Sequence, residues 1–355
     1  MISTHPGACV SLRPGPRCIT VAEGTGAGRD GWRAAALVAP AFVGLCVFVI
    51  GPALVSAFVA GTDKKLTGLD FHWVGTANLR EALADPDLGR AVRNTLVYCL
   101  LTVIPSVLLG LLLALAAERV TRGRPLVRFA LFLPASANMV AMAVVFKYIF
   151  DSNPDGLANT LVGVVGIDPV DWLGDKATAL PVVALVGGWR LTSLVFVVYL
   201  AGLTAIPRSV HEAADVDGIR GLARLRHITL PLLAPTTVFL AVFVTVLTLQ
   251  TFETVAVLTE GGPLDSSTTI IYYIYEVGFK GSYRIGYASM IALLLLVAVV
   301  LLGAAGALLG RRLRTAREDA AAGTDAGAPA PAVTVPATSG AGSSGAASAA
   351  EGRRS

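Results

Sequence analysis

The sequence predicts an all-α integral membrane protein built on six transmembrane helices. Two observations carry that reading: charge is scarce, and the charge present falls between long apolar windows. The chain has 355 residues, of which 54% are hydrophobic and only 15% charged. Its mean hydropathy is +0.69. A soluble domain carries about 25% charged residues, so the composition argues against a water-soluble globule and for one membrane-embedded unit. The formal net charge of +4 is small and the arginines do not gather in one stripe, so no nucleic-acid partner is expected.

A bilayer-spanning helix needs about 20 mostly apolar residues. Residues 1–30, rich in Gly and Pro, are expected to be a disordered cytoplasmic tail. The membrane domain is expected over 31–317. Its first span, at about 34–60, lies in a window free of Asp, Glu, Lys and Arg. That window begins too late, runs too long and lacks a clear small-residue cleavage site for a secretory signal. The second span is predicted at 94–117 and the third at 127–150, where Lys147 snorkels to the interface. The fourth, 179–203, is interrupted only by Arg190; the fifth and sixth are predicted at 232–257 and 286–310. Internal prolines such as Pro40, Pro52, Pro105 and Pro134 are tolerated where neighbours re-satisfy the freed backbone. Residues 318–355, mostly Ala, Gly, Ser, Thr and Pro, are expected to be a second disordered cytoplasmic tail. Cys9, Cys18, Cys46 and Cys99 have neither metal-ligand spacing nor a disulfide framework, so no metal site is expected.

Loop charges set the expected orientation. Arg119, Arg122, Arg124 and Arg128 fall in one loop; Arg208, Arg220, Arg224 and Arg226 fall in another on the same side. Arg311, Arg312, Arg314 and Arg317 follow the last span. The opposite loops hold fewer basic residues and many acids, among them Asp63, Asp70, Glu81, Asp85, Asp151, Asp168 and Asp171. Both termini are therefore expected in the cytoplasm, in a multi-pass protein of the cytoplasmic (inner) membrane.

The loop between the fourth and fifth spans, 207–231, is the most informative stretch. Pro207 ends a span and Ser209 is placed to cap a new helix. A short helix over 210–217 presents Ala213 and Ala214 as a small surface, and Gly218 ends it in a left-handed conformation. From Ile219 to Ile228, Leu222 and Leu225 alternate with Arg220, Arg224 and Arg226, which predicts an amphipathic helix at the membrane surface. From the residues alone, this is either a solvated surface helix or a docking surface for a cytoplasmic partner.

Glu212-Ala213-Ala214, then Asp217-Gly218, then Ile228-x-Leu230-Pro231 resembles the EAA loop of permease subunits of binding-protein-dependent ABC importers. Ile219 stands where that family usually has Ala, and Leu225 where it often has Phe; both remain apolar. Further stretches resemble the carbohydrate-uptake branch: Asn78-Leu79, Asn94-Thr95-Leu96, Leu133-Pro134, Ala201-Gly202-Leu203, Leu258 to Pro263, and Gly286-Tyr287-Ala288. The resemblance covers most of 34–314 and omits both tails. It implies the type I importer permease architecture. It also implies a second, related permease, two ATP-binding cassette ATPase subunits and an extracytoplasmic solute-binding protein as partners. The helix at 209–218 would couple the spans to the ATPase, with Glu212 a candidate charge contact.

No lysine follows a glycine, so the chain has no P-loop. No cofactor is expected on this chain; ATP and Mg are expected on partner subunits. His5, His72, His211 and His227 are dispersed, and no hydrolytic residue set is seen, so no catalytic residue is assigned. Polar residues in spans usually face a cavity or another helix. Asn138, Trp189, Arg190, Thr192, Ser193, Gln250, Thr251 and Glu253 are the candidate solute path. A hydroxyl-rich carbohydrate suits such a lining. Three alternatives stay open: Arg190 pairs with Glu253 or snorkels, Asn138 joins helices, or the solute is a glycerol phosphate ester held by Arg190. A stand-alone secondary transporter is disfavoured because no second copy of the 212–235 pattern and no chain of intramembrane carboxylates is seen.

Overall fold

The computed structural model describes residues 27–68 and 70–325. Among these, the chain is helical with a single isolated bridge, between Thr62 and Trp73. Helix α1 (Ala27–Leu45) passes through a π-helical turn (Cys46–Ile50) into α2 (Gly51–Val59). After a loop come α3 (Ala77–Ala84), α4 (Pro86–Arg119), α5 (Arg124–Ser136), α6 (Met139–Ile149), α7 (Leu157–Gly163) and α8 (Ala179–Thr204). They are followed by α9 (Arg208–Val216), α10 (Gly221–Arg224), a π turn (Leu225–Thr229) and α11 (Leu230–Leu249). Helices α12 (Glu253–Leu258) and α13 (Ile270–Tyr275) lead through a third π turn (Glu276–Lys280) to α14 (Ile285–Asp325).

Among the described residues, five stretches are long and apolar enough to cross a membrane: Ala35–Val59, Pro86–Arg119, Ala179–Thr204, Gly221–Leu249 and Ile285–Arg312. The third predicted span, 127–150, is instead a bent pair, α5 and α6, meeting at 95°. The bend has a local cause. Ala137 and Asn138 are extended, and the Asn138 Oδ1 accepts the N–H groups of Val140 and Ala141, so Asn138 starts a new helix. The fifth predicted span, 232–257, is also interrupted, by non-helical backbone at 250–252. Polar side chains compete for the backbone there: the Gln250 amide donates to the Val246 carbonyl, and Thr269 Oγ1 donates to the Thr251 carbonyl.

Two of the π turns share a cause. Pro52 and Pro231 each lie just past one, and a proline ring collides with the carbonyl four residues back. Widening the turn moves that carbonyl away. The N–H before each proline then bonds five residues back, Gly51 to Cys46 and Leu230 to Leu225. The second of these turns corrects the expected surface helix at 219–228. That segment bends into α11 and is the beginning of a span, because α10, the π turn and α11 run on without a loop.

Helix covers 27–30 and 318–325, where disordered tail is predicted; 1–26 and 326–355 lie outside the described residues.

The core runs along α4 and α8, the most closely packed pair. Gly110 permits their approach, since a Cβ there would lie 2.5 Å from Val195 Cγ1 and 3.1 Å from the Phe196 backbone nitrogen. Ser106 Oγ donates to the Gly188 carbonyl across the same seam at 3.1 Å. Near α9 the core is Val195, Phe196, Tyr199, Leu233 and Leu240. Another core cluster holds Tyr98, Met142, Val183, Val186 and Val255.

The end of the bundle away from α9 is stapled by polar contacts. Asn78 Nδ2 donates to the carbonyls of Ala60 and Thr62, both at 2.8 Å. Asp85 accepts the hydroxyls of Tyr273 and Tyr287 at 2.7 and 2.6 Å. Arg284 forks onto both Glu81 oxygens and lies over the Tyr287 ring. The Arg284 hydrogen bonds hold the Glu81 carboxyl below its usual value. At Asp85 burial pushes upward, but the two tyrosine hydroxyls and the backbone N–H bonds outweigh it and the net shift is down.

A carboxylate whose folded pKa is depressed stabilises above its unfolded value and loses that contribution as pH falls through the folded one. Glu81→Gln should therefore lower the thermal midpoint above pH 4.5, the reference for this carboxyl. The gap from the unsubstituted chain should narrow as pH falls below that value. A gap that stays constant or widens in acid would show that the Glu81–Arg284 contact does not stabilise the fold.

Candidate functional site

Helix α9 projects between two spans, on short connections at 205–207 and 217–220. It begins at Arg208 behind Pro207, two residues earlier than expected, and no side chain caps it; Ser209 is not its cap. Its end follows the sequence expectation. Gly218 has φ +72°, the Gly218 N–H reaches the Asp215 carbonyl at 3.3 Å, and the Ile219 N–H reaches the Ala214 carbonyl at 2.9 Å. This paired closure satisfies carbonyls that the helix end would leave open. Arg224 donates to Asp215 at 3.1 Å, tying α9 back to α10.

The two alanines divide. Ala214 is buried against the bundle, and Ala213 faces outward with Glu212 and Val216, the last 88% exposed. Glu212 lies 3.6 Å from Arg208, one turn earlier on the same open face. Leu222 is also exposed. Leu230 and Pro231 open α11 beyond the π turn. Behind α9 lies a cavity of about 550 Å³ lined by His211, Glu118 and Arg224 among others. The outer face of α9 thus carries a cation, an anion and apolar groups, while its inner face is seated on the bundle.

The candidate solute-path residues fall on three elements. Asn138 is committed to capping α6. Trp189 is exposed on α8 and meets the Phe146 ring edge-on at 5.3 Å. Thr192 is buried and donates to the Gly188 carbonyl at 2.7 Å; Ser193 is buried beside it. Gln250, Thr251 and Glu253 stand at the break between α11 and α12. Arg190 and Glu253 form no ion pair with each other among the described residues. The Nε of Arg190 is buried without a hydrogen-bond partner. Sequence reasoning missed Thr102 and Thr254, both fully buried with unpartnered hydroxyl oxygens. Thr102 is a lone threonine in an apolar run, which gives no sign of its direction, and Thr254 was passed over beside Glu253.

The motif stretches outside the loop are turns and seams. Asn94 Nδ2 donates to the carbonyls of Asp265 and Thr268, and the Ile270 N–H donates to Thr95 Oγ1. Those contacts pin the 258–269 loop to the start of α4. Gly261 there has φ +82°, and a Cβ on it would meet Thr268 and Tyr272.

The family model for the binding-protein-dependent transport system inner membrane component matches residues 106–315. The chain is 33% identical to the sn-glycerol-3-phosphate transport system permease protein UgpA of Agrobacterium fabrum, over 76% of this chain and 91% of that protein. It is 32% identical to the lactose transport system permease protein LacF of Rhizobium radiobacter, over 77% of this chain and 91% of that protein. Its fold is similar to that in the crystal structure of a bacterial ABC transporter involved in the import of the acidic polysaccharide alginate. There the TM-score is 0.69 at 24% identity, covering 80% of this chain and 96% of that one.

Asn138 supplies a test that separates capping from solute contact. Asn138→Ala should cost about 1 kcal/mol of stability, and Asn138→Asp, which keeps the cap, should restore most of it. The thermal midpoint of the purified protein reads the difference. Full stability with loss of uptake in Asn138→Ala would transfer the residue to the solute path.

Proposed function

The chain belongs to the family of binding-protein-dependent transport system inner membrane components, the permeases of sugar and glycerol-phosphate ABC importers; on that premise we propose that it is a membrane-spanning subunit that carries a carbohydrate inward by alternating access. In this reading the power stroke comes from two ATPase subunits that bind ATP and Mg. A second, related permease completes the pathway, and an extracytoplasmic binding protein delivers the solute. The chain itself hydrolyses nothing.

The observation that carries the proposal is the setting of α9. Its inner face is seated through Ala214, its C-terminus is closed at Gly218, and Arg208, Glu212, Ala213 and Val216 remain open. That is the form a joint needs: firm on the side of the spans and free toward a partner groove. Closure of the ATPase dimer would move α9 as a body. The displacement would pass to α8 on one side and, through α10 and the π turn, to α11 on the other. A rigid-body switch of this type needs no local unfolding at the contact.

Irregular backbone at membrane depth is tolerated where protein buries it or where it lines a water-filled cavity. Discontinuous helices at the midplane form solute sites in many transporters. The break at 250–252 and the bend at 137–138 support placing the solute path between α6, α8 and the α11–α12 junction. Trp189 would offer an aromatic face to a sugar ring there.

Glu212→Arg combined with Gly218→Val should abolish uptake and binding-protein-stimulated ATP hydrolysis, while the protein still assembles in the membrane. Uptake and stimulated hydrolysis at unsubstituted rates in that double variant would sink the coupling assignment.

A second reading keeps the family and changes the solute to glycerol phosphate or another anion. It is favoured by one observation, the buried, unpartnered Nε of Arg190, and by the name of a relative. Arg190→Ala should then lose uptake of an anionic solute and spare a neutral sugar. Equal loss of both, or of neither, would remove Arg190 as an anion ligand.

A further inference from the structure

The segment between α6 and α8 holds an apolar surface that the transport reading does not use. Leu157 and Leu161 on α7, with Val164 and Val165 in the turn that follows it, keep the spacing of one helical stripe, and all four are exposed, Val164 at 84% and Val165 at 77%. Ile167 extends the patch. The segment sits at the end of the bundle opposite α9, because α8 separates the two by its length of about 39 Å at 1.5 Å per residue.

The stripe is held by a buried hub. Asn159, only 3% exposed, accepts from the Val170 N–H at 3.0 Å and from Trp172 Nε1 at 2.8 Å. Its own Nδ2 donates to the carbonyls of Val170 and Asn153 at 3.2 and 3.1 Å. The turn beyond α7 closes on itself: the Val165 and Ile167 N–H groups reach the Val162 carbonyl, and Gly166 reaches Gly163. Of the acids in the segment, Asp151 accepts the Asn153 N–H, Asp171 the Gly174 N–H and Asp175 the Ala177 N–H, while Asp155 and Asp168 are exposed on either side of the stripe. The stripe itself is made of apolar side chains, and its N–H groups at 165–167 are bonded within the protein.

Two further observations identify what covers it. Helix α7 packs at the end of α6. The exposed side of α6 is itself an apolar stripe, Val140, Val144 and Tyr148, on a helix of the membrane domain. The patch thus continues a membrane-embedded face, and Lys147 and Tyr148 stand at the junction in the manner of interfacial anchors. An internally bonded backbone is the condition for a non-spanning segment to rest against lipid. A bare apolar patch of this kind in water would be a liability.

We propose that Leu157, Leu161, Val164, Val165 and Ile167 form an interfacial platform that beds into the bilayer at the end opposite α9, with Asn159 as the positioning residue that holds it flat. The binding energy is that of a short amphipathic helix lying in the plane of the interface.

The test uses the assembled importer in vesicles of phosphatidylethanolamine and phosphatidylglycerol, with the four native cysteines replaced. Nitroxide labels are placed in turn at Val164→Cys, Val165→Cys and, as a water-facing reference, Asp155→Cys. Collision with oxygen, which partitions into lipid, is compared with collision with a water-soluble nickel chelate. The oxygen-to-nickel ratio at Val164 and Val165 should exceed that at Asp155 several-fold. A ratio equal to the Asp155 reference would put the face in water and overturn the proposal. Labels immobilised and shielded from both agents would put it against protein, a second permease or a binding protein, and would overturn it equally. Should the cysteine-free chain fail to assemble, added fluorescence from Val165→Trp and its quenching by brominated lipid decide the same question: quenching supports the platform and its absence refutes it.

Discussion

The absence of water at membrane depth is the constraint on which this structure depends. Every backbone N–H and C=O there must find a partner inside the protein. Helix is the default answer, and each departure from helix carries its own substitute bonds. Two π turns re-pair the N–H groups ahead of Pro52 and Pro231. The Asn138 carboxamide oxygen takes two N–H groups at the α5–α6 bend. At 250–252 the Thr251 carbonyl is met by Thr269 from a loop. These irregularities are specified side chain by side chain, so they are built features of the fold.

This explains which parts of the fold were legible in the sequence. Length, composition and charge-free windows depend only on the bilayer as solvent, so the existence of the apolar helices followed from them. The bend at Asn138 and the break after Leu249 did not follow. Each depends on one polar side chain choosing a backbone partner over solute or another helix, and hydropathy averages over that choice. The π turn at 225–229 was missed for a related reason. The alternation of Leu and Arg from 220 to 226 fits a surface helix, while the proline at 231 determines that the segment widens into a span.

The candidate site was legible unevenly too. The closure of α9 at Gly218 could be read because a left-handed residue leaves a glycine signature, and the structure has φ +72° there. The direction of the alanine pair could not: only packing buries Ala214 and leaves Ala213 open. Several stretches that resemble the carbohydrate branch turn out to be fasteners. Asn78 holds the loop after α2, Asn94 and Thr95 hold the 258–269 loop, and Tyr287 reaches Asp85. Gly286 leaves room for the Thr62 carbonyl, which a Cβ would strike. These residues account for the shared shape, and they carry no information about which solute is moved.

The distribution of stiffness and irregularity has a mechanical meaning under the proposed function. The α9 joint is firm, with a closed helix end, a buried alanine and the Asp215–Arg224 pair. On one side α8 is uninterrupted over 26 residues; on the other, α10 and the π turn at 225–229 lead into α11, 20 residues long. The first irregular backbone met along α11 comes at its far end, after Leu249. A displacement entering at α9 therefore travels along regular helix in α8, and through α10, the π turn at 225–229 and α11 on the other side, before it reaches backbone held by single side-chain bonds. A packed core transmits displacement because it has no free volume to absorb it. The α4–α8 seam at Gly110, with Val195 in van der Waals reach, is such a core. Motion would be concentrated where Thr251, Gln250 and Asn138 replace the regular ladder, which are the positions nearest the candidate solute path. The same polar side chains that repair the backbone in the membrane would thus be the ones whose rearrangement opens it.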